Sequence, residues 1–173
     1  GVIYYYQGDM VKSLDYYLKS LKIAEQTGNK LRIMTMLNNV GAIYGLKPET
    51  YDKALHYYLQ ALPLCEDLGD KDALGGISVN VGDIYADSSF KQNNDQKALL
   101  YFNNALKAYG SNSDGIPNAY NAIGKLYLKQ RKYELALKNH FEALAISEKS
   151  NDKLKIVQSL IGIANVYMED NDY

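Results

Sequence analysis

The sequence contains only one cysteine, Cys65, among 173 residues, so the chain has no disulfide framework of its own. This usage favours a reducing compartment such as the cytoplasm. A periplasmic location stays open if the chain is part of a membrane sensor, because many exported bacterial proteins also lack disulfides. No apolar run approaches the roughly 20 residues of a bilayer span, and the N-terminus does not read as a signal peptide. The sequence therefore predicts no direct membrane contact from this segment.

An excess of charge of either sign is also missing. The formal net charge is −1, with 19 Lys and Arg against 20 Asp and Glu, and the two signs are interspersed. A nucleic-acid interface needs a basic stripe and an anionic lipid surface needs a polybasic segment, and the sequence offers neither. The composition excludes nucleic acid as a partner and leaves a protein or peptide.

Residues suited to catalysis are few and isolated. His56 and His140 are the only histidines, and Cys65 has no histidine at helical spacing on its turn. Gly75-Gly76 lacks the Lys-Ser/Thr that follows the glycines of a phosphate loop, and no His, Cys, Asp and Glu group has metal-ligand spacing. An enzyme would need a pocket with paired titratable groups. We expect no enzyme activity, no catalytic residues, no metal and no cofactor.

What the sequence does contain is a repeat. A short motif occurs four times: LNNVGAIY (37–44), SVNVGDIY (78–85), YNAIGKLY (120–127) and LIGIANVY (160–167). Its small residues, Gly41, Gly82, Gly124 and Ala164, follow one another at intervals of 41, 42 and 40 residues. Gly1 and Tyr4 fit the same register, so the chain begins inside a repeat. A fixed period of this size indicates a stacked array.

A second motif follows each copy of the first: SLDYYLKSL (13–21), ALHYYLQAL (54–62), ALLYFNNAL (98–106) and ALKNHFEAL (136–144). Both motifs place apolar residues at the three-and-four spacing of one helical face. The small residues mark places where two antiparallel helices cross closely, with aromatics beside them. His140 occupies the position of Tyr17, Tyr58 and Phe102, which predicts a packed imidazole. Each unit is thus predicted to be a helical hairpin in an all-α superhelical stack.

Turn residues divide the chain into units. Gly28-Asn29, Gly69-Asp70, Ser113-Asp114 and Asn151-Asp152 can end one helix and cap the next. The predicted division is a single array with a partial repeat 1–28, repeats 29–69, 70–113 and 114–151, and a partial repeat 152–173. We expect this array to be a fragment of a longer protein. The third unit carries a four-residue insertion, where residues 87–94 predict a polar loop exposing Phe90 as a neutral excursion or a contact site.

The two motifs resemble the tetratricopeptide repeat over nearly the whole chain. The resemblance lies in the small residue and the aromatic three positions later in the first helix, and in the Ala, the aromatic and the Ala-Leu of the second helix. The period of 40 to 42 departs from the usual period of about 34 residues. It is similar to the long-helix subclass found in LGN, kinesin light chain and bacterial signalling proteins. Armadillo and HEAT repeats share the period but not this Gly, Tyr and Ala pattern. The resemblance implies a right-handed superhelical solenoid of antiparallel helix hairpins.

The inner groove of such a stack is predicted from register. Residues two or three before the small residue, and the one just after it, should face inward. These are Asn38, Asn39, Ala42, Val79, Asn80, Asp83, Asn121, Ala122, Lys125, Ile161 and Asn165. Recurring side-chain amides can hold the backbone of an extended peptide. The resemblance adds that peptide-binding relatives use an inner asparagine ladder, while the plainer alternative is that these amides bond neighbouring turns or helices.

Two further features concern partners. Tyr5 and Tyr6 have no packing role in the repeat pattern, so they are either aromatic anchors of the groove or contacts of a preceding helix. Lys125 and Lys129 offer part of the carboxylate clamp of chaperone-binding relatives, but the first two units supply no matching lysine. The uncapped end helices predict self-association, unless the last helix is itself a cap.

The sequence thus predicts a non-enzymatic protein-protein interaction module that binds a peptide or partner helix in its concave groove. The predicted ligand-binding residues are Tyr5, Tyr6, Asn38, Asn39, Asn80, Asp83, Asn121, Lys125 and Asn165. The alternative is a regulatory or sensory segment of a multidomain bacterial signalling protein, such as a histidine kinase, a nucleotide cyclase or a transcription regulator.

Overall fold

The computed structural model describes residues 1–110 and 113–170 of the chain. In these two ranges the chain is helical, with short turns and one longer loop between helices. The α-helices are α1 (Val2–Tyr6), α2 (Met10–Gln26), α3 (Lys30–Tyr44), α4 (Tyr51–Leu68), α5 (Lys71–Ala86), α6 (Asp95–Ala108), α7 (Ile116–Lys129), α8 (Tyr133–Lys149) and α9 (Lys153–Asp170), and a 3-10 turn (Pro48–Thr50) precedes α4. The end of the predicted last repeat, residues 171–173, lies outside the described residues.

Helix starts and stops have local chemical causes. Side-chain oxygens of Asp9, Asn29, Asp70 and Asn94 each accept a hydrogen bond from a backbone N–H in the first turn of the following helix. Such caps satisfy donors that have no partner within the helix. Gly28, Gly69 and Asn151 have φ values of 65°, 66° and 54°, the left-handed conformation that ends a helix. The turns predicted at these three residues are confirmed.

The helices pack as a chain of hairpins. The pairs α3 and α4, α5 and α6, and α7 and α8 make the most extensive contacts, and each hairpin also contacts the next one along the chain. The first helices of successive hairpins touch as well, since α5 contacts α7 and α7 contacts α9. An array whose units contact their neighbours in this order is an α-solenoid. The predicted fold class is confirmed.

Within each hairpin a glycine of the first helix lies against an aromatic ring of the second. A Cβ atom placed on Gly82 would lie 2.4 Å from Cε1 of Phe102, and one on Gly41 would lie 2.7 Å from Cε1 of Tyr58. Both distances are too short for carbon atoms, so a residue larger than glycine would force the ring or a helix to move. The rings of Tyr58 and Phe102 are buried. The glycine allows the two helices of a hairpin to cross closely, with the aromatic ring packed at the crossing.

A second aromatic contact recurs at the edge of the hairpins. Tyr4 stacks on Tyr16, Tyr44 on Tyr57 and Tyr85 on Tyr101, with ring centroids 5.3, 5.7 and 5.9 Å apart. A lysine ammonium lies over one ring of each pair, from Lys12, Lys53 and Lys97 respectively. Offset ring stacking and the cation add attraction beyond area burial. Many of the tyrosines are therefore structural.

The predicted exposure of Phe90 is wrong. Phe90 is 4% exposed and packs against Tyr51 at the start of α4 and Tyr85 in α5, with centroids 5.6 and 6.3 Å away. The hydroxyl of Tyr51 donates to Asp87 at 2.6 Å, and Gln92 donates to Asp52 at 2.9 Å. The insertion buries its one large apolar side chain because doing so removes apolar area from water.

Candidate functional site

The first helices α5, α7 and α9 together line a cavity of about 430 Å³, here called the central cavity. Each of these helices contributes the same three motif positions to the wall: three residues before the small residue, two before it and one after it. One residue of α8, His140, completes the wall. The lining residues are Val79, Asn80, Asp83, Asn118, Asn121, Ala122, Lys125, Leu128, His140, Gln158, Ile161, Gly162 and Asn165.

A second cavity of about 320 Å³, here called the tyrosine cavity, adjoins the first. It is lined by Ala42, Gly45, Tyr51, Tyr58, Asn80, Asp83, Ile84 and Asp87. Asn80 and Asp83 belong to both walls, so the two cavities are adjacent, and together they are here called the groove. The groove combines amides, two carboxylates, tyrosine hydroxyls and one ammonium, which suits hydrogen bonding to a polar ligand.

Asn121 uses its amide inside the protein. Its Nδ2 donates to the Ser159 hydroxyl of α9 at 3.0 Å, and its Oδ1 lies 2.8 Å from Nδ1 of His140 in α8. The residue is 6% exposed. A buried amide bonded at both ends joins three helices and has little capacity left for a ligand. Asn121 therefore lines the central cavity but mainly positions its neighbours.

His140 is fully buried, as the repeat register predicts. Burial, with a smaller contribution from the nearby Lys125 ammonium, lowers the pKa of His140 to about 4. The imidazole is therefore neutral at physiological pH. Its Nε2 has no hydrogen-bond partner among the residues that the structure describes.

Asp83 stands between the two cavities. Its side chain reaches solvent, but protein on both sides displaces part of its hydration. This desolvation raises the pKa of Asp83 to about 6, and the Lys125 ammonium partly opposes the rise. A carboxylate whose charge is poorly hydrated favours a partner that donates hydrogen bonds to it.

Replacing Asp83 with Asn should stabilise the fold slightly at pH 7. The pKa of Asp83 is about 6 in the folded chain against an ordinary value of 3.8, so the folded state binds the proton more tightly. Protonated Asp83 therefore stabilises the folded state, fully below about pH 4, and this stabilisation is lost as the pH rises through about 6. Since solvent reaches the side chain, we expect at most about 1 kcal/mol.

Urea unfolding of the wild type and Asp83→Asn at pH 4 and pH 7 measures this effect. The difference between the two proteins should be larger at pH 7 than at pH 4. Glu142→Gln, which alters an exposed carboxylate on α8, serves as the control and should show no such widening. A difference for Asp83→Asn that does not change between the two pH values would contradict the shifted pKa.

Comparison with known proteins agrees with this architecture. The family model of the tetratricopeptide repeat matches residues 1–67. Residues 1–67 are thus similar to this family. The crystal structure of BtubC (BKLC) from P. vanneervenii has the same fold with a TM-score of 0.76, covering 98% of this chain and 69% of that chain at 23% identity. A search of curated proteins finds no match.

The structure brings together five of the nine residues predicted to bind a ligand in this helical array. Asn80, Asp83, Asn121, Lys125 and Asn165 line the central cavity. The other four predicted residues line neither cavity and lie toward the N-terminal end. They are Tyr5, Tyr6, Asn38 and Asn39.

Those four residues have separate surroundings. Tyr5 and Tyr6 are 37% and 83% exposed, and their rings meet edge to face with centroids 5.9 Å apart. Asn38 and Asn39 are half-buried, and the buried Oδ1 of Asn38 has no hydrogen-bond partner among the described residues. The structure thus places them on the same repeat array but outside the groove formed by the two cavities.

Register reasoning missed three kinds of lining residue. Asn118 and Gln158 lie six positions before the small residue of their repeats, and Leu128 lies four positions after it. These are the next turns of the same helical face, so the 3.6-residue period could have found them. His140 reaches the wall from a second helix, for which the repeat register of the first helices gives no signal.

Two other findings bear on chemistry. In residues 1–110 and 113–170, no three His, Cys, Asp or Glu side chains lie close enough to hold a metal ion. Within the same ranges, no helix combines the length and the apolar character needed to cross a membrane. Cys65 is buried, and burial raises the pKa of its thiol to about 11. A buried thiol that stays protonated is a poor nucleophile.

Proposed function

We propose that the chain is a non-enzymatic protein-interaction module that holds an extended peptide or a partner helix along the groove formed by the two cavities. Tetratricopeptide repeats are generally protein-interaction modules, and solenoids of this kind bind partners on extended surfaces made by successive repeats. The observation that carries the proposal is the repetition of polar side chains at equivalent positions of α5, α7 and α9 around the central cavity.

The amides of the groove differ in how much they can offer a ligand. Asn118, Gln158 and Asn165 are exposed in the cavity wall, and Asn80 is half-buried where the two cavities meet. Each amide has a donor and an acceptor, so it can pair with the C=O and N–H of a peptide whatever its side chains. Two of the amides also bond within the protein: Asn121 bonds His140 and Ser159, and the side chain of Asn80 hydrogen-bonds Tyr58.

The charges of the groove are divided between its two parts. Asp87 lines the tyrosine cavity, Asp83 lines both cavities, and Lys125 lines the central cavity. A peptide along the groove would therefore meet a negative region and then a positive one. This arrangement favours one direction of binding, since charge complementarity fixes register and orientation.

The test is selection of peptides from a displayed random library on the immobilised wild-type chain, followed by affinity measurement of the selected peptides by fluorescence polarisation. The variant carries Asn80→Ala, Asn118→Ala and Asn165→Ala. We expect it to bind the selected peptides at least about tenfold more weakly, because each lost hydrogen bond is worth about 0.5–1.5 kcal/mol.

The matched control removes three other asparagines through Asn93→Ala, Asn103→Ala and Asn139→Ala. Asn103 and Asn139 donate to backbone carbonyls of their own helices, away from the groove. Circular dichroism checks that both triple variants are folded. Equal affinity of the groove variant and the control for every selected peptide would overturn the proposal.

A further inference from the structure

The ring of His140 is clamped between two glycines of different repeats. A Cβ atom on Gly124 of α7 would lie 2.7 Å from Nε2 and Cε1 of His140, and one on Gly162 of α9 would lie 2.4 Å from Nδ1 and Cε1. The equivalent rings of the preceding repeats belong to Tyr58 and Phe102, which have no ring nitrogen. Packing at this position needs only a flat aromatic ring. The histidine ring also carries nitrogen atoms that can form hydrogen bonds.

The hydrogen bonds of Asn121 identify the protonated nitrogen of His140. Since Nδ2 of Asn121 donates to the Ser159 hydroxyl, its Oδ1 is the atom that faces His140. An amide oxygen only accepts, so Nδ1 of His140 carries the hydrogen. In the neutral ring Nε2 then has a lone pair and is an acceptor. The bond to Asn121 thus fixes both the tautomer and the orientation of the ring.

This Nε2 is an unusual atom within the part of the chain that the structure describes. The side chain is 0% exposed, it belongs to the wall of the central cavity, and Nε2 has no hydrogen-bond partner. Leaving a buried acceptor unpaired is unfavourable, and such atoms are rare in folded proteins. Because Nε2 is buried, a ligand donor reaches it only when the ring or the flanking helices α7 and α9 shift slightly, and it then forms a hydrogen bond that no described residue supplies.

The surroundings define the chemistry of that donor. Lys125 follows Gly124 directly and places an ammonium on the same cavity wall. Its charge disfavours a cationic donor beside His140, while a carboxylate has no hydrogen to give to Nε2. A neutral amide meets both requirements, because its N–H can donate to His140 and its C=O can accept from Lys125.

We propose that the central cavity is an amide-binding site in which Nε2 of His140 accepts the N–H of a ligand carboxamide and Lys125 donates to its C=O. This inference rests on the proposed peptide-binding function, because a peptide supplies such a group either from its backbone or from an Asn or Gln side chain. It assigns His140 a recognition role beyond packing.

The test uses three small probes and NMR of the imidazole nitrogens of the ¹⁵N-labelled wild-type chain. N-methylacetamide represents a backbone amide and acetamide represents a side-chain amide. N,N-dimethylacetamide has the same carbonyl but no N–H. We expect a saturable shift of the His140 Nε2 signal with one or both of the first two, with affinities on the order of millimolar for so few atoms, and none with the third. The probe that binds more tightly identifies the source of the amide.

Variants separate the two contacts. Lys125→Met should weaken the binding of the better probe about tenfold, the effect of losing a charged hydrogen bond, while Lys138→Met, on α8 and outside the cavity wall, should not change it. His140→Phe restores the kind of ring found at Phe102 and should abolish binding, as followed through the backbone amide signals of α7 and α9. Retained binding by a folded His140→Phe variant would overturn the assignment of Nε2.

The probe experiment is independent of any peptide, so its failure is distinguishable from failure of the proposed function. If neither N–H probe shifts the Nε2 signal saturably, the amide site is wrong even when selected peptides bind through the groove asparagines. If the probes bind as expected but the library yields no peptide, the amide site stands and the peptide-binding function fails. Equal shifts with N,N-dimethylacetamide would also overturn the amide site.

Discussion

Replacing Phe102 with alanine is expected to lower the free energy of unfolding by about 3–5 kcal/mol. Phe102 is 0% exposed and packs against Gly82 across the crossing of α5 and α6. The substitution removes the buried ring and therefore loses its transfer free energy. It also leaves a cavity that the two helices cannot close, which adds a further cost. The effect is large because this ring joins two helices and their shared core.

Urea unfolding followed by circular dichroism measures this loss. Phe141→Ala provides the matched control, since Phe141 is 46% exposed on α8 and its removal leaves no internal cavity. We expect the control to lose less than about 1 kcal/mol, the range usual for surface substitutions. Similar losses of unfolding free energy in the two variants would mean that the ring of Phe102 does not stabilise the helix crossing.

Gly82→Ala should also destabilise the array, although alanine is the better helix former. The added methyl carbon would lie 2.4 Å from Cε1 of Phe102, so the ring or the helices must move. Overpacking of this kind costs about 1–3 kcal/mol, which outweighs the gain in helix propensity of up to about 1 kcal/mol. We expect a net loss, measured by the same urea unfolding.

Gly76 supplies a control within the same helix. A Cβ atom there meets only the Tyr109 hydroxyl, at 3.9 Å, so Gly76→Ala should stabilise by a few tenths to about 1 kcal/mol. Phe102→Leu should partly rescue Gly82→Ala, because the smaller side chain makes room for the methyl group. Simple additivity of Gly82→Ala and Phe102→Leu would show that the two residues do not compete for the same space.

The repeat pattern made most of the fold predictable. Gly41 and Gly82 and their aromatic partners Tyr58 and Phe102 could be recognised because a close helix crossing tolerates few residue types. Cap residues such as Asp70 were recognisable for a similar reason, since few side chains can accept from a helix N-terminus. Signals that act through near neighbours, or that recur at a fixed period, are visible in a single sequence.

The candidate site was predictable only in part. Register identified Asn80, Asp83 and Lys125 as wall residues, because all three lie on the inner face of first helices. It could not reveal that Asn121 bonds His140 and Ser159, because those contacts depend on the relative placement of three helices. Whether an amide bonds the protein or remains for a ligand is decided by tertiary geometry, which the repeat motif does not encode.

Phe90 shows a different limit. An eight-residue polar stretch with one aromatic is typical of an exposed loop, yet the ring reaches Tyr51 of the preceding repeat and Tyr85 of its own. The repeat pattern contains no copy of this insertion, so no register predicts where its side chains go. Only the arrangement of α4 and α5 creates the apolar recess that receives the ring.

The insertion also has a mechanical consequence. A solenoid bends through small rotations between neighbouring units, because each unit mainly contacts its neighbours and the rotations add up along the array. Phe90, together with the bond from Gln92 to Asp52, ties the third repeat back to the start of α4 in the second. We therefore expect the joint between the second and third repeats to resist bending. The tyrosine cavity, whose wall includes residues of both α4 and α5, would then keep its width when the array bends.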